Sequence, residues 1–169
     1  DVIEELKLEG NQLKAPPLST LLPRSNETRY AALEPSLKQE SPSALSEYFT
    51  VSPNPYGGEE KNFYYIKKEY YTPQNLQKGK ELFELNCAAC HGKDADGSGL
   101  RATAMTDAKP RMLTNLDWIN SHDDLRLLRS IKYGVLGTSM TPWGDLTNAA
   151  QRMQLVMFIR SLSEGTTLR

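Results

Sequence analysis

Three stretches in the second half of the chain carry apolar residues at helical spacing. In the first, Leu76, Gly79, Phe83 and Asn86 recur every three or four residues up to Cys87, behind Thr72-Pro73, an N-cap and a first-turn proline. In the second, Leu125, Leu128 and Ile131 share a face, with Ser121 as the expected cap, Asp123 and Asp124 in the first turn, and Gly134 just past the end. In the third, Leu155, Phe158, Ile159 and Leu162 mark a last helix that begins near Thr147 or Asn148 and stops before Gly165. Long loops join the three, and no strand alternation is visible, so the pattern predicts an all-α fold.

The first 72 residues lack such periodicity. Val2, Ile3, Leu6 and Leu8 suit a short helix ended by Gly10-Asn11, whereas Pro16-Pro17 and Pro23 favour extended chain between Ala15 and Arg24. Ser41-Pro42 opens a short turn through Ala44, Leu45, Tyr48 and Phe49, and Pro53, Pro55 and Gly57-Gly58 break the chain again. Residues 63–71 are too aromatic for a free linker, since burying each large side chain is worth about 1.5–3 kcal/mol. They are expected to dock, either on the rest of this chain or on another subunit.

Composition sharpens the division. Most prolines and tyrosines fall before Pro73, while every Cys, His, Trp and Met falls after it. Two regions are therefore expected: an irregular, Pro/Tyr-rich N-terminal extension over residues 1–72 and a helical domain over 73–169. The net charge of −1 gives no field favouring nucleic acid or an anionic membrane. The longest aliphatic or aromatic run, Leu155 to Ile159, is far below the roughly 20 residues of a membrane helix. No charged start followed by an apolar segment occurs at Asp1, so any signal or anchor is expected to have been removed or to lie outside these residues.

The chemistry concentrates in Cys87-Ala88-Ala89-Cys90-His91, the Cys-x-x-Cys-His pattern of c-type haem attachment. Two thiols one helical turn apart can each form a thioether to a haem vinyl group. The next imidazole is carried under the iron by the same turn. Zinc would need four ligands from Cys87, Cys90, His91 and His122, with His91 poorly placed beside Cys90 and His122 read as a surface residue. A thioredoxin-like dithiol would need a strand before Cys87, where the pattern is helical. Gly92 to Gly99, with Asp94, Asp96 and Ser98, is expected to be an exposed loop whose glycines let backbone pass close to a flat ligand.

A second ligand is sought among the five methionines. Met140 lies in Gly137-Thr138-Ser139-Met140-Thr141-Pro142-Trp143, off any helix face, and is the favoured sixth ligand over Met105 and Met112. Met153 and Met157 belong to the last helix, where core packing explains them.

These residues resemble the class I cytochrome c family. Gly79-Lys80-Glu81-Leu82-Phe83 followed by Cys87-Ala88-Ala89-Cys90-His91-Gly92 is similar to its first helix and haem site, Gly137 to Met140 with Trp143 to its methionine loop, and Leu155 to Ile159 to its last helix. The resemblance covers about 90 residues and none of the first 72. It implies the cytochrome c fold, three main helices around one covalently bound haem c, with Gly79 and Phe83 meeting Phe158 or Leu162. Lys109-Pro110-Arg111-Met112-Leu113-Thr114 also resembles a segment of bacterial monohaem domains in respiratory and dehydrogenase complexes. Many relatives carry Gly-Pro about ten residues after the haem His, and the proline carbonyl accepts the His Nδ1 proton. Here that place holds Gly99-Leu100, so the acceptor is expected to be the carbonyl of Leu100 or of Pro110.

With Cys87 and Cys90 as attachment points and His91 and Met140 as axial ligands, the iron would have no open position, which suits one-electron transfer. Arg111 and Trp143 are candidates to hold the haem propionates. The expected partners are a redox donor and acceptor, with possible membership of a membrane-bound complex through the extension, on the extracytoplasmic side. The alternative is a haem enzyme or sensor in which Met140 is displaced.

Overall fold

The computed structural model describes residues 47–106 and 108–163. The expected helix at residues 2–9, the extended stretch at 15–24, the turn opened by Ser41-Pro42 up to residue 46, and Gly165 lie outside them. Among the described residues the order is β1 (Phe49–Pro53), β2 (Asn62–Ile66), a 3-10 turn (Lys68–Tyr70), α1 (Pro73–Asn86), α2 (Ala88–His91), a second 3-10 turn (Leu100–Ala104), α3 (Leu116–Asn120), α4 (Asp124–Tyr133) and α5 (Ala149–Ser163). The domain is mainly helical, and α1, α4 and α5 are the three helices expected from periodicity.

Within the described part of the extension, two short strands add order that the sequence pattern did not reveal. β1 and β2 pair antiparallel, with Phe49 opposite Ile66 and Val51 opposite Tyr64. Thr50, Val51, Phe63, Tyr64, Tyr65 and Ile66 are β-branched or aromatic, the residue types that fit a pleated surface. Of the residues taken as chain breakers, Pro53 ends β1 opposite Asn62, while Pro55 and Gly57-Gly58 lie in the hairpin loop. Asn54 organises it, its Nδ2 donating to the Gly57 and Glu60 carbonyls and its Oδ1 accepting from the Tyr56 N–H.

The hairpin packs on the helices of its own chain. Tyr48, Phe49 and Ile66 are buried in the same core as Phe83, Ile119, Leu128, Leu155 and Met157. The outer N–H groups of β2 are met by carboxylates at the start of α4: Tyr64 donates to Asp123 Oδ2 at 2.9 Å and Ile66 to Asp124 Oδ2 at 2.7 Å. Asp124 also pairs with Arg160 of α5, Nε to Oδ1 at 2.6 Å, and both side chains are buried. Arg160 donates further to the carbonyls of Ile119 and His122 and lies over the Tyr65 ring. Hairpin, α3, α4 and α5 thus meet at one charge pair.

Helix ends follow local chemistry with one correction. Thr72 caps α1 by accepting from the Asn75 N–H. Asp123, not Ser121, caps α4: its Oδ1 accepts from Arg126 N–H, while the Ser121 hydroxyl turns back to the Trp118 carbonyl as the end of α3. Asn148 and Gln151 form a reciprocal box before α5, each side-chain oxygen accepting the other's N–H. Where α1 crosses α5, a Cβ on Gly79 would stand 2.1 Å from the Gln154 carbonyl oxygen, so only glycine permits this approach. Phe83 and Phe158 meet beside it, ring centroids 5.4 Å apart.

Candidate functional site

Helix α1 ends at Cys87, whose N–H closes the last turn on the Phe83 carbonyl. The Cys87 carbonyl then accepts from the N–H groups of Cys90 and His91, at 3.1 and 2.9 Å, so the short helix α2 carries both cysteines and the histidine on one turn. Both thiols are free. Burial, and secondarily the neighbouring Cys90, pushes the Cys87 thiol up to about 12. A thiol held neutral in this way is the opposite of the depressed, nucleophilic thiol of a redox Cys-x-x-Cys. It is also preceded by a helix where that motif needs a strand. Among the described residues no group of three or more His, Cys, Asp or Glu converges as a metal cluster would. His122 is half-buried instead of exposed, its ring tilted against Trp118 with centroids 4.4 Å apart and its Nδ1 bonded to the Trp118 carbonyl.

The loop after His91 is folded back on α2 and is less exposed than expected. Gly97 N–H donates to the His91 carbonyl and Gly99 N–H to that of Cys90. Ala95 is fully buried, and its carbonyl accepts from Leu113 N–H at 2.8 Å. At Gly99 a Cβ would stand 2.5 Å from the Ala89 carbonyl oxygen. That glycine lets the turn carrying Leu100 lie against the attachment helix.

The acceptor for His91 is neither of the two expected carbonyls. His91 Nδ1 lies 3.1 Å from the carbonyl oxygen of Arg111. The Leu100 carbonyl is taken by the Thr103 hydroxyl at 2.8 Å, and the Pro110 carbonyl faces Gly97, where a Cβ would sit 2.7 Å from it. With Nδ1–H donating to Arg111, Nε2 is the ring nitrogen left for a metal. Burial holds the imidazole below its ordinary value, and the Arg111 bond opposes that only in part, a balance that favours the neutral ring a ligand needs.

Met140 lies on the loop between α4 and α5. Its N–H donates to Thr138 Oγ1, whose hydroxyl donates to the Val135 carbonyl. A Cβ on Gly134, which has φ 74°, would stand 2.7 Å from the Met140 carbonyl oxygen. Trp143 and Gly144 donate to the Ile131 and Lys132 carbonyls, fastening the far side of the loop to the end of α4. Arg152, fully buried, donates to the Gly144 and Thr147 carbonyls from within α5. Met153 and Met157 are fully buried in the core.

The residues fit a large flat apolar group. Leu100 is 89% exposed, and Met112, Leu116, Val135 and Leu136 leave about half of their apolar side chains uncovered by protein. These residues lie on the segments next to His91, Arg111 and Met140, where a porphyrin would cover them. The Arg111 guanidinium lies 5.5 Å from the centre of the Trp118 ring, and Trp143 is half-buried against the core. Sequence reading missed Asp123, Asp124, Arg152 and Arg160 as interior groups. Nothing in a charged residue's type announces burial. It missed the Arg111 carbonyl because a backbone acceptor has no side-chain signature.

Residues 74–159 match the family model described as cytochrome c oxidase, cbb3-type, subunit III. The chain is 33% identical over 89 residues to the Cbb3-type cytochrome c oxidase subunit CcoP of Azospirillum brasilense, covering 53% of this chain and 29% of that protein. It is 31% identical over 98 residues to the Cbb3-type cytochrome c oxidase subunit FixPc of Rhizobium leguminosarum bv. viciae, covering 56% and 30%. This chain therefore spans less than a third of the length of these relatives. Among solved structures, a chain of the Kuenenia stuttgartiensis reducing HAO-like protein complex is similar with a TM-score of 0.47 and 22% identity, over 54% of this chain and 44% of that one. A mainly helical, cytochrome c-like domain with the pair Cys87 and Cys90 ahead of His91 implies haem c, and the chain belongs to the cbb3-type cytochrome c oxidase subunit III family.

Proposed function

We propose that the helical domain is a one-electron carrier holding a single haem c through thioethers to Cys87 and Cys90, with His91 and Met140 as axial ligands. The observation that carries this reading is the α2 turn, with two free thiols one turn apart and His91 held by the Arg111 carbonyl at 3.1 Å. When bound, the haem supplies the redox centre, and a thioether opposite an imidazole raises its potential. The protein's residues do the rest. Cys87 and Cys90 fix the ring's position, Arg111 fixes the His91 tautomer, and the Thr138 and Gly134 contacts hold the Met140 loop in one conformation. Apolar side chains such as Leu100 and Leu136 keep water from the ring face.

By similarity to the relatives, the domain works within a cbb3-type oxidase subunit on the extracytoplasmic side, taking electrons from one redox protein and passing them to another. No helix among the described residues is long and apolar enough to cross a membrane, so attachment would come from other parts of a longer subunit or from its partners. Of the two candidates to hold the haem propionates, Trp143 is kept in that role, while the Arg111 guanidinium lies over the Trp118 ring.

The test is carbon monoxide binding to the ferrous protein. Wild type is expected to bind it weakly, and Met140→Ala to bind it readily with a lowered potential. Tight, rapid binding by wild type would assign the domain to a haem enzyme or sensor instead. Cys87→Ala with Cys90→Ala should abolish haem that survives denaturing electrophoresis.

A further inference from the structure

The carbonyl that meets His91 belongs to a peptide held at both ends and gripped in the middle. Upstream, the Lys109 ammonium donates to the carbonyls of Ala102 and Met105, at 2.8 and 2.7 Å. Downstream, the Leu113 N–H donates to Ala95. Between these ends the Arg111 side chain, laid on the face of Trp118, tethers the Arg111 Cα and so the place of the carbonyl it carries. Trp118 is itself immobilised. Its backbone N–H donates to Asn115 Oδ1, its carbonyl accepts from Ser121 and bonds His122 Nδ1, and its ring lies tilted against the His122 imidazole.

We propose that Arg111 and Trp118 are positioning residues that set the strength of the His91 Nδ1–H···O=C bond, and through it the reduction potential of the centre. This inference rests on the reading of His91 as an axial ligand. A stronger bond at Nδ1 makes the imidazole a better donor at Nε2 and favours the ferric state, lowering the potential. Loosening the stack lets the carbonyl swing away, weakens the bond and raises the potential.

The sign separates this role from propionate binding. If Arg111 held a propionate, its removal would take a positive charge from beside the ring, disfavour the reduced form and lower the potential. Trp118 carries no charge, so Trp118→Leu removes the stack without changing the charge beside the ring.

The experiment uses the full chain with covalent haem. The reduction potential is measured for wild type, Arg111→Ala, Trp118→Leu and Trp118→Phe, together with the exchange rate of the His91 Nδ1 proton by nuclear magnetic resonance. In Arg111→Ala and Trp118→Leu the reduced-to-oxidised ratio at fixed applied potential should rise threefold to tenfold, the latter equivalent to about 59 mV for one electron. Proton exchange should quicken at least tenfold, and Trp118→Phe should restore both. A lowered potential in Arg111→Ala, or unchanged proton exchange, overturns the proposal. If Trp118→Leu does not fold, Arg111→Ala decides alone, since its side chain is exposed and outside the core. A wild-type spectrum without histidine ligation would overturn the reading of the site itself, whereas normal ligation with unmoved variants overturns only the positioning role.

Discussion

Asp124→Asn isolates the charge at the junction of hairpin and helices. In wild type one carboxylate oxygen accepts from Arg160 Nε at 2.6 Å and the other from Ile66 N–H at 2.7 Å, and neither side chain of the pair reaches solvent. The asparagine oxygen can still serve Ile66, so that bond survives. What is lost is the charge, leaving the Arg160 guanidinium buried with only the Ile119 and His122 carbonyls. Removing one partner of a buried pair typically costs about 3–5 kcal/mol. At about 2–4 °C per kcal/mol for a chain of this size, Tm should fall by about 6–20 °C. Asp124→Ala also orphans the Ile66 N–H, adding about 1–3 kcal/mol, which approaches the whole stability of a small domain.

Guanidinium unfolding of the haem-loaded chain, followed by far-ultraviolet circular dichroism, measures the loss directly. Arg160→Met, alone and combined with Asp124→Asn, completes a double-mutant cycle. With no guanidinium left to strand, Asp124→Asn in that background should cost less than about 1.5 kcal/mol. A loss below about 1 kcal/mol for Asp124→Asn alone, or an equal loss in both backgrounds, would refute the account of Arg160 as a charge dependent on Asp124.

At the helix crossing, Gly79→Ala should destabilise by about 2 kcal/mol, because overpacking against the Gln154 backbone outweighs the roughly 1 kcal/mol gain in helix propensity; thermal melts that show an equal or higher Tm would contradict the close approach. In the hairpin loop, Asn54→Ala removes three exposed hydrogen bonds and should lower stability by about 1 kcal/mol without changing the haem spectrum. Burial holds His122 below its ordinary value of 6.5, so the unfolded chain binds the proton more readily than the native one. Stability should therefore be full above that value and decline as pH falls through it towards the depressed native value, and His122→Phe, measured by denaturant titration at several pH values, should flatten this slope.

Local signals were legible where the chemistry is local. Thr72-Pro73 caps α1, Gly79 permits the crossing with α5, the Cys87 to His91 spacing shapes one turn, and Gly134 ends α4 with φ 74°. The cap of α4 was ambiguous because Ser121 and Asp123 are both good caps. Asp123 takes the role because its second oxygen also serves the Tyr64 N–H, a long-range partner that no local pattern contains. The hairpin was hidden for a similar reason. Its Pro and Gly residues break a helix and equally well close a turn, and only the core beneath Phe49 and Ile66 decides between them.

The buried carboxylates explain why the hairpin and the helices hold together as one structure. Burial pushes Asp123 up from the usual carboxylate range, and its bonds to Arg126 and Tyr64 N–H oppose that only in part. One of those two bonds comes from the hairpin, as does the Ile66 N–H that Asp124 accepts. The family match begins at residue 74, after β2, yet each carboxylate at the α4 terminus takes one of its hydrogen bonds from a group before the match. A domain boundary drawn at Pro73 by composition therefore cuts through a shared hydrogen-bond network and a shared core. The Ile66 N–H of the hairpin and Arg160 on α5 meet at Asp124, and Arg160 carries the link on to the Ile119 carbonyl at α3. Since the Ile131 and Lys132 carbonyls of α4 accept from the N–H groups of Trp143 and Gly144, one helix links the hairpin to the loop that carries Met140.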